Sequence, residues 1–368
     1  MNLKVIFIIA VILSAIALAV STYANTVTGG FTPTGGPTGV SYDNGNFYGY
    51  AFQLPTTVIN DNPYGGNTGN YTLINAIAIK YGVVTAVVWF YQPPNGQGGL
   101  LSDQNSPMPS TPYDNTPWLY VGTNNSLLGG DWLYYYPPPE VITNALPVGW
   151  HMAVIEEYAS SGHFYLTLYL DGKYVGTADL FYPSSSILPQ LFGSTPNFPA
   201  NGIDTYPFGF IGVAYADWPA GNGRYFFYNG TIAIVAFYNV LLPDSVINQM
   251  WKNSQVMSNG ISIYLPMQDL MVAYVFSPSF FNVNTGALTP YYVNNTALHE
   301  LGIANPDLML VTSGANLQSN MWAGYSITVN TSGKPSAATT QNWSLITMMI
   351  VVIIAIVTIT VVFLRRRK

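Results

Sequence analysis

The stretch GWHMAVIEEYASSGHFYLTLYLDGKYVGT, residues 149–177, has the alternation that is typical of paired β-strands. In its second half every second residue is Phe or Leu, and the residues between them are His, Tyr or Thr. This pattern predicts a strand with one face in a core and the other open to water. Asp171 and Gly172 then stand where a type I′ turn requires positive φ. The stretch therefore predicts a β-hairpin in which these two residues have a structural role.

Similar patterns extend along the middle of the chain. AIAIKYGVVTAVVWFYQ (76–92) predicts two strands separated near Gly82, and GTIAIVAFYNVLL (230–242) predicts another. One short helix is predicted in LLPDSVINQMWKN, where apolar residues recur at helical spacing, namely Val246, Ile247, Met250 and Trp251. Many short strands joined by Gly- and Pro-rich turns predict an all-β fold, an antiparallel two-sheet sandwich.

Two apolar runs lie towards the two ends of the chain. Residues 1–24 have one early cation, an apolar run and then small and polar residues, which predicts a secretory signal peptide; an uncut membrane anchor is the alternative. Residues 345–364 are uncharged and long enough to span a bilayer as one helix. The basic tail, residues 365–368, predicts a cytoplasmic C-terminus. We expect a single-pass protein of a cell or virion membrane with an extracellular N-terminal ectodomain.

Composition divides the region between these two runs. Residues 25–37 are Gly-, Pro- and Thr-rich and predict a linker, and residues 38–260 hold the main sandwich. Residues 261–328 either complete that sandwich or form a small membrane-proximal β module. Residues 329–343 predict a Ser- and Thr-rich spacer.

Charge is scarce throughout, at 7% of residues. The predicted extracellular region has five basic and 16 acidic residues, a net charge of −11. No nucleic-acid partner is expected, because no basic patch is available to neutralise phosphates. Cysteine is absent, and a domain of this size needs no disulfides to be stable. Because amides, hydroxyls and phenols supply the polar surface and do not titrate in acid, we expect an acidic exterior.

Two segments resemble the laminin G-like, concanavalin A-like lectin/glucanase family. Residues 149–177 carry the Trp-His-x-Ala strand, the Tyr-x-Asp-Gly turn and the following Val-Gly-Thr of that family, and residues 229–252 are similar to its closing strand, turn and helix. The resemblance spans residues 38–260, with a weaker likeness in 86–103. It implies an antiparallel jelly roll that binds ligands at a sheet face or rim. Lectins, adhesion modules and glycosidases share this fold, so the fold alone does not choose among them.

The carboxylates do not form a glycosidase pattern. Retaining glycosidases need two carboxyl groups about 5 Å apart, and the resemblance implies a Glu-x-Asp-x-x-Glu strand, which does not occur. Glu156 and Glu157 are adjacent and therefore face opposite sides of a strand. The three histidines lack metal spacing, and no G-x-S-x-G nucleophile motif is present. A non-enzymatic protein is expected, with a surface glycosidase as the disfavoured alternative.

A calcium site is one hypothesis for the loops. Some laminin G-like domains hold calcium at a rim through Asp and carbonyl oxygens, and Asp103, Asp114 and Asp131 are the candidates in this sequence. The alternative is that these residues form turns.

Aromatic side chains are the main candidates for ligand binding, because exposed rings stack on sugars or on partner proteins. The segment DWLYYYPPPE (131–140) is the richest in them. The candidates there and beside other predicted loops are Trp132, Tyr134, Tyr135, Tyr136 and Trp118, with Trp218, Tyr215 and Tyr225. The alternative is a place in the core.

Sequons for N-glycosylation recur on the predicted extracellular side. They are Asn70, Asn124, Asn229, Asn294, Asn330 and, next to the membrane, Asn342. Together with the predicted anchor, they favour a non-enzymatic surface protein that recognises glycans or surface proteins. The alternative is a structural component of an archaeal cell or virus envelope that associates with copies of itself.

Overall fold

The computed structural model describes residues 26–31, 49–59, 70–108, 110, 115–130, 140–160, 163–179, 207–216, 224–312 and 321–331. In chain order, the strands up to residue 160 are β1 Thr26–Phe31, β2 Tyr50–Gln53, β3 Thr56–Val58, β4 Asn70–Thr72, β5 Val83–Gln92, β6 Gly98–Gln104, β7 Asn115–Val121, β8 Ser126–Gly130, β9 Glu140–Ala145 and β10 Gly149–Ser160. Those after it are β11 His163–Leu170, β12 Lys173–Asp179, β13 Phe208–Ile211, β14 Val213–Ala216, β15 Arg224–Phe227, β16 Thr231–Tyr238, β17 Gln255–Met257, β18 Gly260–Tyr264, β19 Leu270–Val275, β20 Phe281–Asn282, β21 Ala287–Leu288, β22 Tyr292–Val293, β23 Leu308–Thr312 and β24 Trp322–Asn330. The helices are α1 Leu73–Tyr81, α2 Asp244–Lys252, α3 Asn295–Glu300 and the 3-10 helix Pro278–Phe280.

The strands form two large sheets. The first has the order β12-β11-β10-β5-β16-β1-β24-β18-β17, with β19 and β22 branching from β16. The second has the order β20-β21-β23-β2-β13-β6-β7-β8-β9, with the β14–β15 hairpin beside β6. Among the described strands only the pairs β18–β24 and β15–β6 are parallel. The predicted all-β, mainly antiparallel architecture is confirmed.

The predicted hairpin is the β10–β11–β12 edge of the first sheet. β11 and β12 are joined by the two-residue turn of Asp171 and Gly172, whose φ angles are 52° and 76°. Both angles are positive, as a type I′ turn requires. The turn prediction is confirmed.

The sheets enclose a central core. It takes Phe90 and Ile155 from the first sheet and Phe52 and Leu119 from the second. The outer face of the first sheet is also buried, because α2 lies on it and contributes Ile247 and Met250 to a second core. The prediction of a helix in this segment is confirmed.

That second core corrects the expectation of a wet strand face in the hairpin. Thr167 and Tyr169, on the face that alternation left open to water, are 4% and 6% exposed. The alternation within one strand gives no sign of a helix that packs on the outer side of the sheet, so this burial could not be predicted from the strand alone.

The predicted strand at residues 76–81 is wrong, since these residues belong to helix α1. Its residues from Leu73 to Ile79 are all buried, so the apolar residues occupy every side and show no helical period. The Thr72 hydroxyl accepts from the Asn75 N–H at 3.5 Å, and Gly82, with φ of 72°, ends the helix. The two capping residues stand at the ends of a short apolar run, and the sequence of such a run fits either a strand or a helix.

Strand pairing also shows where the predicted linker and the residues beyond 260 lie in the two sheets. Within the predicted linker, Thr26–Phe31 is β1, which lies between β16 and β24 in the first sheet. Residues 261–328 supply strands to both sheets, because β19 pairs with β16 and β23 pairs with β2. Their described strands are therefore part of both large sheets. β24 continues to Asn330, two residues into the predicted spacer.

Among the residues that the structure describes, no helix is long and apolar enough to cross a membrane. The predicted signal peptide at 1–24, the span at 345–364 and the basic tail at 365–368 lie outside the described residues.

Candidate functional site

Asp171 fastens the hairpin turn to the start of β10. Its Oδ2 lies 2.9 Å from Nδ1 of His151, and its Oδ1 accepts from the Met152 N–H at 3.0 Å. The other ring nitrogen of His151 lies 2.9 Å from the Pro147 carbonyl oxygen. Both ring nitrogens thus face acceptors, an arrangement that only the imidazolium form satisfies.

The same contacts set the charge of His151. Burial lowers the pKa of His151. The hydrogen bond and charge of Asp171, with the Pro147 carbonyl, raise this pKa by more than burial lowers it, so the net pKa lies above its usual value. The ring is held in place and is 3% exposed. It stabilises the fold and is not presented to a ligand.

Gly172 fastens the same turn to α2. Its carbonyl oxygen accepts from Asn248 Nδ2 at 3.1 Å. A Cβ placed on Gly172 would lie 2.7 Å from the Trp251 Cβ. The two segments that carry the family resemblance therefore meet here, and their most distinctive residues hold strand, turn and helix together.

Glu156 and Glu157 lie on opposite faces of β10, as predicted, and both are buried. Oε1 of Glu156 accepts from the Leu242 N–H at 2.7 Å, beside Asp244 at the start of α2. Burial, chiefly, raises the pKa of Glu156 to about 7, and the nearby Asp244 charge adds to this. The pair is not arranged as the two facing carboxyl groups that a retaining glycosidase needs.

The calcium hypothesis is corrected at Asp103. This residue lies in strand β6 and is 0% exposed, with its Oδ2 accepting from Asn75 Nδ2 of α1 at 2.7 Å. It therefore points into the core and not to a rim loop. Asp114 and Asp131 lie outside the described residues. In the described part of the chain, no three His, Cys, Asp or Glu residues are grouped as metal ligands.

Trp118 is corrected as a ligand-binding candidate. It lies in β7, is 0% exposed and belongs to the central core. Tyr215 and Tyr225 lie in the β14–β15 hairpin and are buried on the outer face of the second sheet. The remaining candidates, Trp132, Tyr134, Tyr135, Tyr136 and Trp218, lie outside the described residues.

Three other aromatic residues meet at one end of the first sheet, on its outer face. Tyr91 is the last residue but one of β5, Trp150 is the second residue of β10, and Tyr325 comes from β24. Their ring centroids are 5.5–5.6 Å apart in all three pairs. The Trp150 ring stands at 71° and 79° to the two tyrosine rings, which are inclined to each other by only 32°. We call these residues the aromatic triad.

The two tyrosines of the triad are partly exposed, whereas Trp150 is 6% exposed and lies beneath them in the second core. Burial raises the pKa of Tyr325, and the neighbouring Tyr91 raises it further. The two phenol rings are therefore close neighbours, with their centroids 5.6 Å apart. Neither hydroxyl has a hydrogen-bond partner among the described residues.

A braced loop stands beside the triad. The buried Tyr228 hydroxyl lies 2.8 Å from the Tyr91 carbonyl oxygen and 2.9 Å from Gln92 Oε1. The Asn229 side chain accepts from the Gln97 N–H at 2.8 Å, and the Asn229 N–H donates to the Gln97 carbonyl at 3.0 Å. Tyr228 thus holds the backbone at Tyr91, and Asn229 holds the loop that follows it at Gln97. We call residues 93–97 and 229–230 the amide rim.

The predicted sequons have different surroundings. Asn70, Asn124 and Asn229 are exposed, although Asn229 is engaged in the amide rim. The Asn294 side chain accepts from the Ala297 N–H at 3.1 Å and caps α3. Asn330 is half-buried at the end of β24, and Asn342 lies outside the described residues. The Asn124 side chain accepts from the Ser126 N–H at 3.1 Å, so Asn70 is the most open acceptor among the described sequons.

Sequence reasoning missed the aromatic triad because its members come from three distant segments. The alternation of β5 does place Tyr91 on the same face as Trp89, and that of β10 places Trp150 on the same face as Met152. The pairing of Tyr91 with Trp150 across the two strands, however, is set by a register that becomes visible only in the folded sheet.

The chain matches no family model and no curated protein. It is similar in structure to a Bacteroides ovatus protein described as a candidate carbohydrate-binding protein, with 12% identity and a TM-score of 0.40 over 80% of this chain and 62% of that one. The chain thus covers less than two thirds of the Bacteroides protein. It is also similar to the heptameric SAP-like pentraxin of Limulus polyphemus, with 11% identity and a TM-score of 0.33 over 68% of this chain and 96% of that one. A third similarity is to the CBM40 of the Ruminococcus gnavus IT-sialidase bound to alpha2,3 sialyllactose, with 15% identity and a TM-score of 0.33 over 53% of this chain and 95% of that one. Membership of the laminin G-like family stays a prediction.

Proposed function

We propose that the chain is a membrane-anchored, extracellular, non-enzymatic recognition protein, and that its sandwich binds carbohydrate through the aromatic triad. The observation that carries this proposal is the arrangement of Tyr91 and Tyr325, two partly exposed rings 5.6 Å apart with hydroxyls that have no partner among the described residues. Sugar rings have apolar C–H faces that pack on aromatic rings and hydroxyls that bond to phenols.

Rigidity supports the same assignment. Trp150 stands against both tyrosines from below, and Tyr228 and Asn229 fix the backbone beside them. A surface that is ordered before the ligand arrives loses less conformational entropy on binding. The triad is therefore suited to bind a weakly interacting ligand such as a sugar.

The anchor and the jelly-roll class belong to the proposal as well. The uncharged run at 345–364 and the basic tail support a single membrane span with the sandwich outside. The contacts of Asp171 and Gly172 support a concanavalin A-like jelly roll, because they give the residues of the resemblance a shared structural task.

The test is binding of the full-length chain to an array of oligosaccharides, in a detergent without a sugar headgroup. We expect saturable binding that Tyr91→Ala and Tyr325→Ala each weaken at least about tenfold, as for a central interface residue. Tyr174→Ala is the matched control, since Tyr174 is a 57% exposed tyrosine on β12 at the far edge of the same sheet. Equal losses in all three variants, or release of sugar from the bound oligosaccharide, would contradict the proposal.

A second function, lateral assembly in an envelope, is favoured by the two terminal strands of the first sheet. Val256 on β17 is 61% exposed and Tyr174 on β12 is 57% exposed. Large apolar side chains at both ends of one sheet are suited to contacts between copies. Sedimentation velocity tests this function, because self-association that Val256→Lys abolishes would support it.

A further inference from the structure

The segments around the aromatic triad contain no formal charge. Residues 91–97, 147–151, 228–231 and 322–326 include no Asp, Glu, Lys or Arg. An anionic sugar is usually held by Arg or Lys, and a charge held against apolar rings without a partner is costly. Calcium in proteins is held by several oxygen ligands, of which carboxylates are the usual source. None of these groups is present in the four segments.

The triad has no carboxyl or imidazole group, and these are the side chains whose charge changes over the acidic range. In the four segments, the one such side chain is the imidazole of His151. His151 is on the opposite face of β10 from Trp150, where its ring packs against Phe90 and its nitrogens are bound to Asp171 and Pro147. The surface that the triad offers is therefore the same in acid and at neutral pH.

We propose that the aromatic triad binds an uncharged oligosaccharide, without calcium and with an affinity that does not change between acidic and neutral pH. This inference rests on the proposed function and adds the class of ligand. The two phenol hydroxyls donate to sugar hydroxyls, the rings pack on the sugar's C–H face, and the amide rim supplies neutral donors and acceptors at Asn95 and Gln97. Asn95 is exposed and Gln97 is partly exposed at the end of the sheet where the triad lies.

The experiment compares neutral and charged oligosaccharide probes on the full-length chain. Maltohexaose, cellohexaose and mannohexaose are the neutral probes, and hexagalacturonic acid and sialyllactose are the charged ones. Binding is measured at about pH 3 and about pH 7, on either side of the carboxylate range, with calcium or with EDTA. Tyr91→Phe and Tyr325→Phe, which keep the rings, serve where an alanine variant fails to fold, and circular dichroism at each pH reports folding.

We expect at least one neutral probe to bind, with affinities at the two pH values that agree within about twofold, since the triad has no carboxyl or imidazole group. EDTA has no effect, and the triad variants lose at least about tenfold in affinity. Preference for a charged probe, or loss of binding in EDTA, would overturn the inference and leave the proposed function standing. Absence of binding to every probe and every other glycan on the array would overturn both. Binding that the triad variants do not weaken would overturn the inference by placing the site elsewhere.

Discussion

The Glu156 carboxyl makes stability depend on pH in a direction opposite to that of most acidic side chains. It is 4% exposed and lies under the loop that leads into α2, where Asp244, Tyr169 and Thr85 are its polar neighbours. Burial, with the Asp244 charge, raises its pKa from the usual 4.5 to about 7. The folded chain thus holds this proton more tightly than the unfolded chain does.

The size of the effect follows from the two pKa values. A pKa shift of one unit corresponds to about 1.4 kcal/mol for a single group. Raising the pKa of Glu156 from 4.5 to about 7 therefore corresponds to about 3 kcal/mol of folding stability. Because the folded-state pKa is the higher one, this stability is fully present below about pH 4.5 and is lost as the pH rises through about 7. We expect Glu156 alone to make the chain about 3 kcal/mol less stable at pH 8 than at pH 4.

The substitution Glu156→Gln isolates the contribution of this carboxyl to the pH dependence of stability. Glutamine keeps a carbonyl oxygen for the Leu242 N–H and removes the titration. Urea unfolding at several pH values, followed by tryptophan fluorescence, should show that the stability of the variant relative to the unchanged chain rises by about 3 kcal/mol between pH 4 and pH 8. Parallel pH profiles for the two proteins would refute the reasoning.

Three further substitutions test the framework. Gly172→Val should lower the stability of the fold by about 3 kcal/mol, because Val resists positive φ and would contact α2. Gly286→Val is the control, because Gly286 has a φ of 69° and an added Cβ would lie 3.6 Å from the nearest atom, so this variant has the backbone strain alone. Equal melting temperatures for the two variants would contradict this. Trp118→Ala should cost about 4 kcal/mol because the ring is fully buried, and a variant of normal stability by urea unfolding would contradict its place in the core. Asp171→Asn keeps an acceptor for the Met152 N–H but removes the charge beside His151, whose pKa is raised. The variant should therefore lose about 1 kcal/mol of folding stability below about pH 6.5, and this loss should vanish as the pH rises through the His151 pKa. A loss of stability that grows with pH would exclude the ion pair.

The hairpin could be predicted from the sequence because all of its determinants are local. Alternation places Leu166 and Leu168 on the core face, and Asp171 with Gly172 defines the turn. The same holds for α2, whose start at Pro243 and Asp244 and whose apolar stripe are visible in one short segment.

The errors arise where burial on every side removes the local pattern. α1 is apolar on all faces and was therefore predicted as a strand. β1, with the sequence TVTGGF, has no periodicity of its own, and its place between β16 and β24 is given by backbone pairing. On β11 the expected wet face is buried at Tyr169, because this residue packs with α2 in the second core.

The candidate site depends most on tertiary structure. Tyr91 and Trp150 become neighbours through the β5–β10 register, and Tyr325 reaches them from β24 near the end of the described chain. No local motif joins the three. From the sequence, the expectation was a binding site of aromatic side chains at residues other than these three.

The most direct test of the central claim is hydroxyl-radical footprinting of the full-length chain, read by mass spectrometry, with and without a saturating neutral oligosaccharide. Oxidation of Tyr91 and Tyr325 should fall at least about threefold on binding, since both rings become buried under the sugar, while oxidation of Tyr174 is unchanged. Protection of Trp132 and Tyr134–Tyr136 with unchanged oxidation of Tyr91 and Tyr325 would contradict the account and would move the binding site to that aromatic segment.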